Sequence, residues 1–227
     1  MEHLELVKKY APQIYFNENE PFFPVKVGYT IFDKTAKSPS TSRIIELKEN
    51  DAYAIEYAIY WDFDIQHLYE LEHVWVYIDG EGKVTDCEAS FHGEYLKALF
   101  KDRSNLEDDT HICVYSQPGK HAFCPIKQFF ELVPGAEEAT GEKAGEDGLL
   151  VTGIFKDVLE TNEMIQKIVK EYLMKFRFVP SANYVKYSIP GDMFVPWELL
   201  KKEIPLMIEA KLREIGYTGI TPVKENR

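Results

Sequence analysis

The chain has 227 residues, enough for one sizeable domain or two small ones with a real hydrophobic core. Its 38 acidic against 26 basic residues give a formal charge of −12 with no Lys/Arg run, which argues against nucleic acid or an anionic membrane surface as partner. Fourteen Tyr, 14 Phe and 3 Trp favour sheet over a pure helical bundle, and no apolar run nears the roughly 20 residues of a membrane span.

The opening MEHLELVKKYAPQIYF has no basic stretch leading into an apolar one, so no signal peptide is expected. Short aromatic or β-branched runs then alternate with turn residues: PQIYF, PFFPVKVGYTIF, TSRIIELK, AYAIEYAIYWDF, HVWVYID, KVTDCEASFHG and HICVYSQP. DGEG (Asp79 to Gly82) puts a glycine where a hairpin turn wants positive φ. Such spacing predicts an antiparallel β-sandwich over residues 1–132, with Trp61, Trp75 and Tyr77 in its core. Cys87, Cys113 and Cys124 match neither a zinc ribbon nor a disulfide framework, and are expected to be reduced and buried in a cytoplasmic protein.

Residues 133–148, VPGAEEATGEKAGEDG, predict a long surface loop or a mobile lid. The extension 149–227 reads as helical. DVLETNEMIQKIVKEYLMKF carries Val158, Met164, Ile165, Ile168, Val169 and Leu173 at helical spacing, with Met164 and Leu173 read as core. PWELLKKEIPLMIEAKLREIGY starts on a proline and ends near Gly216, and Pro205 is expected to kink or split it. These helices are expected to pack on the sandwich, giving a single α+β domain with C-terminal helices and no internal repeat.

The chemistry concentrates in DFDIQHLYELEH. It packs Asp62, Asp64, His67, Glu70, Glu72 and His73 at the mouth of the apolar strand HVWVYID. Five of the six histidines fall between His67 and His121. So many carboxylates beside apolar strands repel one another unless a cation neutralises them. Mixed imidazole and carboxylate donors suit Mg²⁺, Mn²⁺, Fe²⁺, Zn²⁺ or, where oxygen dominates, Ca²⁺.

These residues also carry a resemblance. HLYELEHVWVYI resembles the H-x-x-D-x-E-x-V-V-V-W-L core of the necrosis-inducing protein (NLP) family, in which the His, Asp and Glu line a divalent-cation site. The resemblance implies His67, Glu70 and Glu72 as ligands. YAIYWDFD resembles the family's preceding strand and adds Asp64, while ASFHGEY resembles A-S-A-H-G-G-Y and brings in His92. KKYAPQIYFNENEPFFP and VYSQPGKHAFCP resemble vacuolar-protein-sorting-associated relatives of the superfamily, and add Glu20 and His121. The similarity covers roughly residues 6 to 125. The family's second His is Tyr69 here and its Trp before the Glu is Leu71, and neither a secretion signal nor a convincing disulfide pair is apparent, so toxicity is not carried over.

A regular hairpin at Asp79–Gly82 would set Glu72 opposite Ala89 and His73 opposite Glu88. Alternation then puts His67, His73, Glu88 and His92 on one face and Glu70 and Glu72 on the other. Either a bulge near Tyr69–Leu71 reverses the alternation, or the ligand set is His67, His73, Glu88 and His92.

Three functions are compatible. A divalent ion (Mg, Ca, Mn or Zn) at Asp64, His67, Glu70 and Glu72 would activate water for cleavage of an ester or phosphoester, with His92 and His121 as general acid and base. Asp62 and His73 would orient ligands, with Glu88 as an alternative donor. Alternatively, a lectin-like module would use the ion to hold a small molecule, carbohydrate or glycolipid without chemistry. An exposed Trp61 or Tyr69 would then supply a stacking platform, and burial of both counts against one. In the third reading the ion only ties loops together.

Overall fold

The computed structural model describes residues 2–151, 153–220 and 222–223. A short helix α1 (Glu2–Lys9) precedes β1 (Gln13–Asn17), β2 (Lys26–Phe32), β3 (Ala36–Lys37), β4 (Ile44–Ile45), β5 (Asp51–Phe63) and β6 (His67–Asp79). Next come β7 (Val84–Phe91), β8 (Glu94–Lys97), β9 (Leu106–Glu107), β10 (His111–Ser116) and β11 (Phe123–Cys124). The remainder supplies α2 (Ala136–Thr140), β12 (Gly148–Leu149), α3 (Glu163–Leu173), β13 (Tyr184–Ser188), β14 (Phe194–Pro196) and α4 (Trp197–Glu214).

The larger sheet runs β14-β2-β5-β6-β7-β8, with β12 beside the start of β6. The smaller runs β11-β10-β1-β13, with β9 on β10. Buried residues of both, among them Ile14, Phe16, Val114, Phe123, Ile59 and Trp61, form one core. β5 and β6 are long and nearly continuously buried because both of their faces are covered. On the second face the β3–β4 hairpin closes a small cluster of Phe32, Ile45, Ala54, Trp75 and Tyr77.

The antiparallel sandwich expected from the strand spacing is corrected to an α+β fold with sheets of mixed orientation. β1 pairs β10, β14 pairs β2 and β12 pairs β6, all in parallel. Parallel partners need long crossovers, so turn signals between neighbouring strands cannot reveal them. The segment read as a helical extension also weaves β13 and β14 into the two sheets.

The stretch 133–148 is more than a surface loop. It forms α2, buries Ala139, Thr140 and Ala144, and bonds through Gly145 N to Ile65 O at 2.9 Å and Asp147 N to Gln66 O at 3.1 Å. That ties it to the turn before β6. α3 is capped by Asn162, whose side chain accepts from Ile165 N at 3.0 Å, and it buries Ile165, Val169 and Leu173 on one stripe. Met164, read as core, is 51% exposed because it lies one position off that stripe. α4 runs unbroken through Pro205 and buries Trp197, Leu200, Ile204, Ile208 and Leu212. That burial, roughly 1.5–3 kcal/mol for each large apolar side chain, outweighs a helical hydrogen bond lost at the proline. Gly28 of β2 allows the close approach, since a Cβ there would sit 2.8 Å from the Trp197 ring. Cys87, Cys113 and Cys124 are free and buried. Among the described residues no helix is long and apolar enough to cross a membrane.

Candidate metal centre

The β6–β7 hairpin turns at Asp79–Gly82 with Gly82 at φ 84, as the DGEG signal predicts. The strands close between Asp79 and Lys83, and a one-residue register shift between Tyr77 and Ile78 follows, so that Val74 rather than Glu72 faces Ala89, and Trp75 faces Glu88. The total slip is two residues and leaves the alternation intact. Glu72 and Val74 therefore point to the main core, while His73, Trp75 and Glu88 share the opposite face.

His67 escapes that alternation. Tyr69 takes a left-handed backbone at φ 56, with no shift in the pairing of β6 against β5 on either side of it. The kink brings His67 around to Glu70, so that donor atoms of Asp64, His67 and Glu70 all lie within 4.8 Å of one another. On the β7 side, β6 pairs with β12 only at His67–Leu68 and with β7 from Val74 onward. The stretch between them opens into a groove.

The His67 tautomer follows from its partners. Nδ1 lies 2.8 Å from the Tyr69 carbonyl oxygen, which can only accept, so Nδ1 carries the proton. In the neutral ring the Nε2 lone pair then faces Glu70 Oε2 at 3.4 Å and Asp64 Oδ2 at 3.8 Å. Asp64 Oδ2 is buried without a hydrogen-bond partner, while Oδ1 accepts from Gln66 N at 2.6 Å and Lys120 Nζ at 2.8 Å. A lone pair aimed at two carboxylates, one with an orphaned oxygen, is an arrangement that a cation stabilises. Ligand distances of roughly 2.0–2.5 Å match the gap with small side-chain adjustments.

Charge around the centre is finely divided. Burial works against ionised Asp64, yet His67 in its protonated form and, whichever form the ring takes, Lys120 draw the carboxyl down, and together they hold it below its usual range. Glu72 goes the other way. Burial first, then the Glu70 and Asp64 charges, push its carboxyl well above the usual range, although Ser90 donates to it. Glu72 lies outside the three residues whose donor atoms gather within 4.8 Å, and a divalent ion beside them would favour its ionised form, making it a fourth ligand and third oxygen donor.

Two adjoining hollows meet at His67 and Glu70. One, of 390 Å³, is walled by Glu72, Ser90, His92, Tyr95, Lys120 and Arg43. The other, of 640 Å³, adds an apolar wall of Leu150, Ile154 and Phe155 between Lys37 and Lys156.

The remaining expected site residues scatter. His92 is exposed on the first hollow, with Nε2 2.6 Å from Gln117 Oε1. His121 is 0% exposed, stacked on Trp61 at 4.6 Å and 3.3 Å from Glu20 Oε1, so its pairing with His92 as a general acid and base is corrected. Asp62 pairs with Lys211 at 3.2 Å. Glu88 is taken by Arg43 at 2.5 Å, Lys97 at 2.9 Å and Tyr77 at 2.9 Å, on the face away from Glu72. His73 stacks on Trp75 and bonds Ser40 Oγ at 2.9 Å, which in turn donates to the buried Glu56 at 2.6 Å. Trp61 is 0% and Tyr69 8% exposed, which counts against either as a stacking platform. Lys120, Arg43, Ser40 and Ser90 were not singled out by sequence. Lys120 is legible only as the neighbour of His121 in PGKHAFCP.

No family model matches the chain, and no curated protein matches it either. Among solved structures it is similar to NLPPya in complex with glucosamine, at 17% identity over 67% of this chain and 86% of that one, with a TM-score of 0.37. NLPPya in complex with mannosamine matches at 18% identity over the same shares, also at 0.37. A structure described as a toxin fold for microbial attack and plant defense matches at 17% over 67% and 86%, at 0.34. These are distant likenesses.

Proposed function

We propose that this chain is a divalent-cation-dependent binding protein for a small polyhydroxylated ligand, carbohydrate among the candidates. Asp64, His67 and Glu70 hold the cation, and Glu72 joins them as it ionises. One observation carries the reading: the His67 Nδ1–Tyr69 carbonyl bond aims the Nε2 lone pair at two carboxylates, one with a buried oxygen lacking any hydrogen-bond partner. A cation with open coordination positions beside a 390 Å³ hollow can take ligand hydroxyls directly, and Ser90, Lys120 and His92 on the walls supply further hydrogen bonds.

The test is calorimetric titration of chelator-treated protein with Mg²⁺, Ca²⁺, Mn²⁺ and Zn²⁺, then of the loaded protein with glucosamine, the sugar held by one of the similar structures. Stoichiometric uptake of one ion, lost in Asp64→Asn and His67→Ala, is expected. Absence of uptake for all four ions overturns the reading.

A second reading rests on His92, a histidine exposed on the hollow beside the cluster. There Asp64, His67 and Glu70 would hold an ion that eases deprotonation of a bound water, and His92 would donate a proton to the leaving oxygen of an ester or phosphoester as the water oxygen takes its place. Turnover of chromogenic esters that is lost in His92→Asn supports it; an unchanged rate removes it.

A further inference from the structure

We propose that Tyr95 is the stacking platform of the hollow beside the cation centre, and that the ligand is a ring sugar lying with a C–H face on the phenol and its hydroxyls toward the cation. This rests on the cation-dependent binding reading and narrows its ligand class from polyols in general to pyranoses.

Trp61 and Tyr69, the aromatic residues expected in this role, are buried, whereas Tyr95 is 48% exposed. Tyr95 of β8 pairs with Ser90 of β7 across the turn His92–Gly93, which puts it on the face that Glu88 and Trp75 share. There it lines the 390 Å³ hollow together with His67, Glu70 and Glu72. One face of its ring is taken by the Arg43 guanidinium at 3.7 Å, and the ring meets Trp75 at 68° with centroids 6.1 Å apart. Among the described residues no other ring or cation is stacked on it, so its exposed surface is the opposite face and the rim of the phenol.

The support behind Tyr95 is rigid. Arg43 Nη2 donates to Glu88 Oε2 at 2.5 Å, and its guanidinium lies 4.3 Å from the Trp75 ring. His73 backs Trp75 in turn, nearly parallel to it at 5.4 Å. Of this packed series of flat groups only the outermost is exposed. A phenol fixed from behind loses little side-chain freedom when a ligand settles on it. A pyranose suits the two walls of the hollow. Its hydroxyls, spread around the ring, can enter open positions on the cation, while the C–H groups of one face leave water against the phenol. An open-chain polyol carries similar hydroxyls without a fixed apolar face, so it can satisfy the cation but makes no use of Tyr95.

The experiment titrates the metal-loaded protein with glucosamine and with its open-chain reduction product, glucosaminitol, and measures metal uptake separately. Both probes carry the amine and a row of hydroxyls, and only the first has a ring. Glucosamine is expected to bind about tenfold tighter, equivalent to about 1.4 kcal/mol and of the order expected for burying two C–H groups. Tyr95→Phe should keep that ratio. Tyr95→Ala should bring the two probes within about twofold, with metal uptake unchanged. Should the truncation loosen Arg43, Tyr95→Leu keeps apolar bulk over the guanidinium without a flat face, and should lose the ratio likewise. Protons on one face of the bound sugar should shift upfield in the wild type through the ring current, and should not in Tyr95→Leu. Equal binding of the two probes, or a preference for glucosamine that survives both Tyr95→Ala and Tyr95→Leu, overturns the platform and leaves the cation reading standing. Metal uptake with neither probe bound overturns the platform as well. Absence of metal uptake overturns both.

Discussion

Two histidine–carboxylate pairs in this molecule have nearly the same spacing and opposite meanings. His67 Nε2 lies 3.4 Å from Glu70 and His121 Nε2 lies 3.3 Å from Glu20. At His67 the second ring nitrogen is tied to a backbone carbonyl and the carboxylates face a groove. At His121 the second ring nitrogen is an orphan, the ring lies flat on Trp61, and the whole side chain is buried. Glu20 is occupied as well, accepting from Gly119 N at 2.7 Å and Phe22 N at 3.4 Å. Distance alone therefore does not separate a ligand site from a core bond. The partner of the other nitrogen and the access of solvent do.

The largest effect expected from breaking this comparison is at the sealed pair. Glu20→Ala leaves His121 Nε2 and two backbone N–H groups without their acceptor, a loss of roughly 3–5 kcal/mol on removal of one partner of a buried pair. Urea denaturation should show a matching drop in midpoint with an unchanged slope. A loss below about 1 kcal/mol would mean that the pair is not structural.

Much of this was legible in the sequence and some was not. The crowding of Asp64, His67, Glu70 and Glu72 was visible because the spacing is local, and so was the Gly82 turn. The face that His67 would join was undecidable, because it hangs on the left-handed backbone of Tyr69. Aromatic residues are uncommon in that region, so no propensity announces it. Lys120 and Arg43 were missed for another reason. Each reaches the groove from a loop remote in sequence from β6, and a lone Lys or Arg on a loop carries no pattern. The parallel pairs of β12 and β14 escaped in the same way: two or three residues each, with partners fixed by tertiary packing.

His73 sharpens the contrast between histidines through pH. Burial, with a smaller contribution from Arg43, lowers its pKa from 6.5 to about 4, and Glu56 offsets this only in part. The folded state thus prefers the neutral ring more strongly than the unfolded chain does. The contribution is fully present above about pH 6.5 and is lost as pH falls toward 4, because the unfolded chain takes up the proton first. A shift of this size corresponds to about 3 kcal/mol. Stability measured from pH 7 to pH 4 should fall steeply in the wild type, and His73→Gln should flatten that slope. An identical slope in the variant would place the acid sensitivity elsewhere.

At the groove pair the expected effect falls on affinity rather than on folding. His67→Ala should weaken cation binding about 100-fold, or roughly 2.7 kcal/mol, while chelator-treated wild type and variant unfold within about 1 kcal/mol of each other. The rise in melting temperature on adding metal should vanish in the variant. If His67→Ala instead costs as much stability as Glu20→Ala in the absence of metal, the groove pair is a core bond like the other and the comparison collapses.

The smallest effect belongs to His92, where fold and function can be separated cleanly. His92 and Gly93 both have positive φ and join Phe91 to Glu94, which pair across the hairpin. A two-residue hairpin turn with both central residues left-handed favours Asn-Gly above other pairs. His92→Asn therefore keeps the turn and should change stability by only a few tenths of a kcal/mol. It removes the imidazole and alters one bond to Gln117. A drop in ligand affinity or turnover with an unmoved melting curve would assign His92 to the groove's chemistry. A variant that melts and binds like the wild type would show that backbone geometry alone explains a histidine at this position.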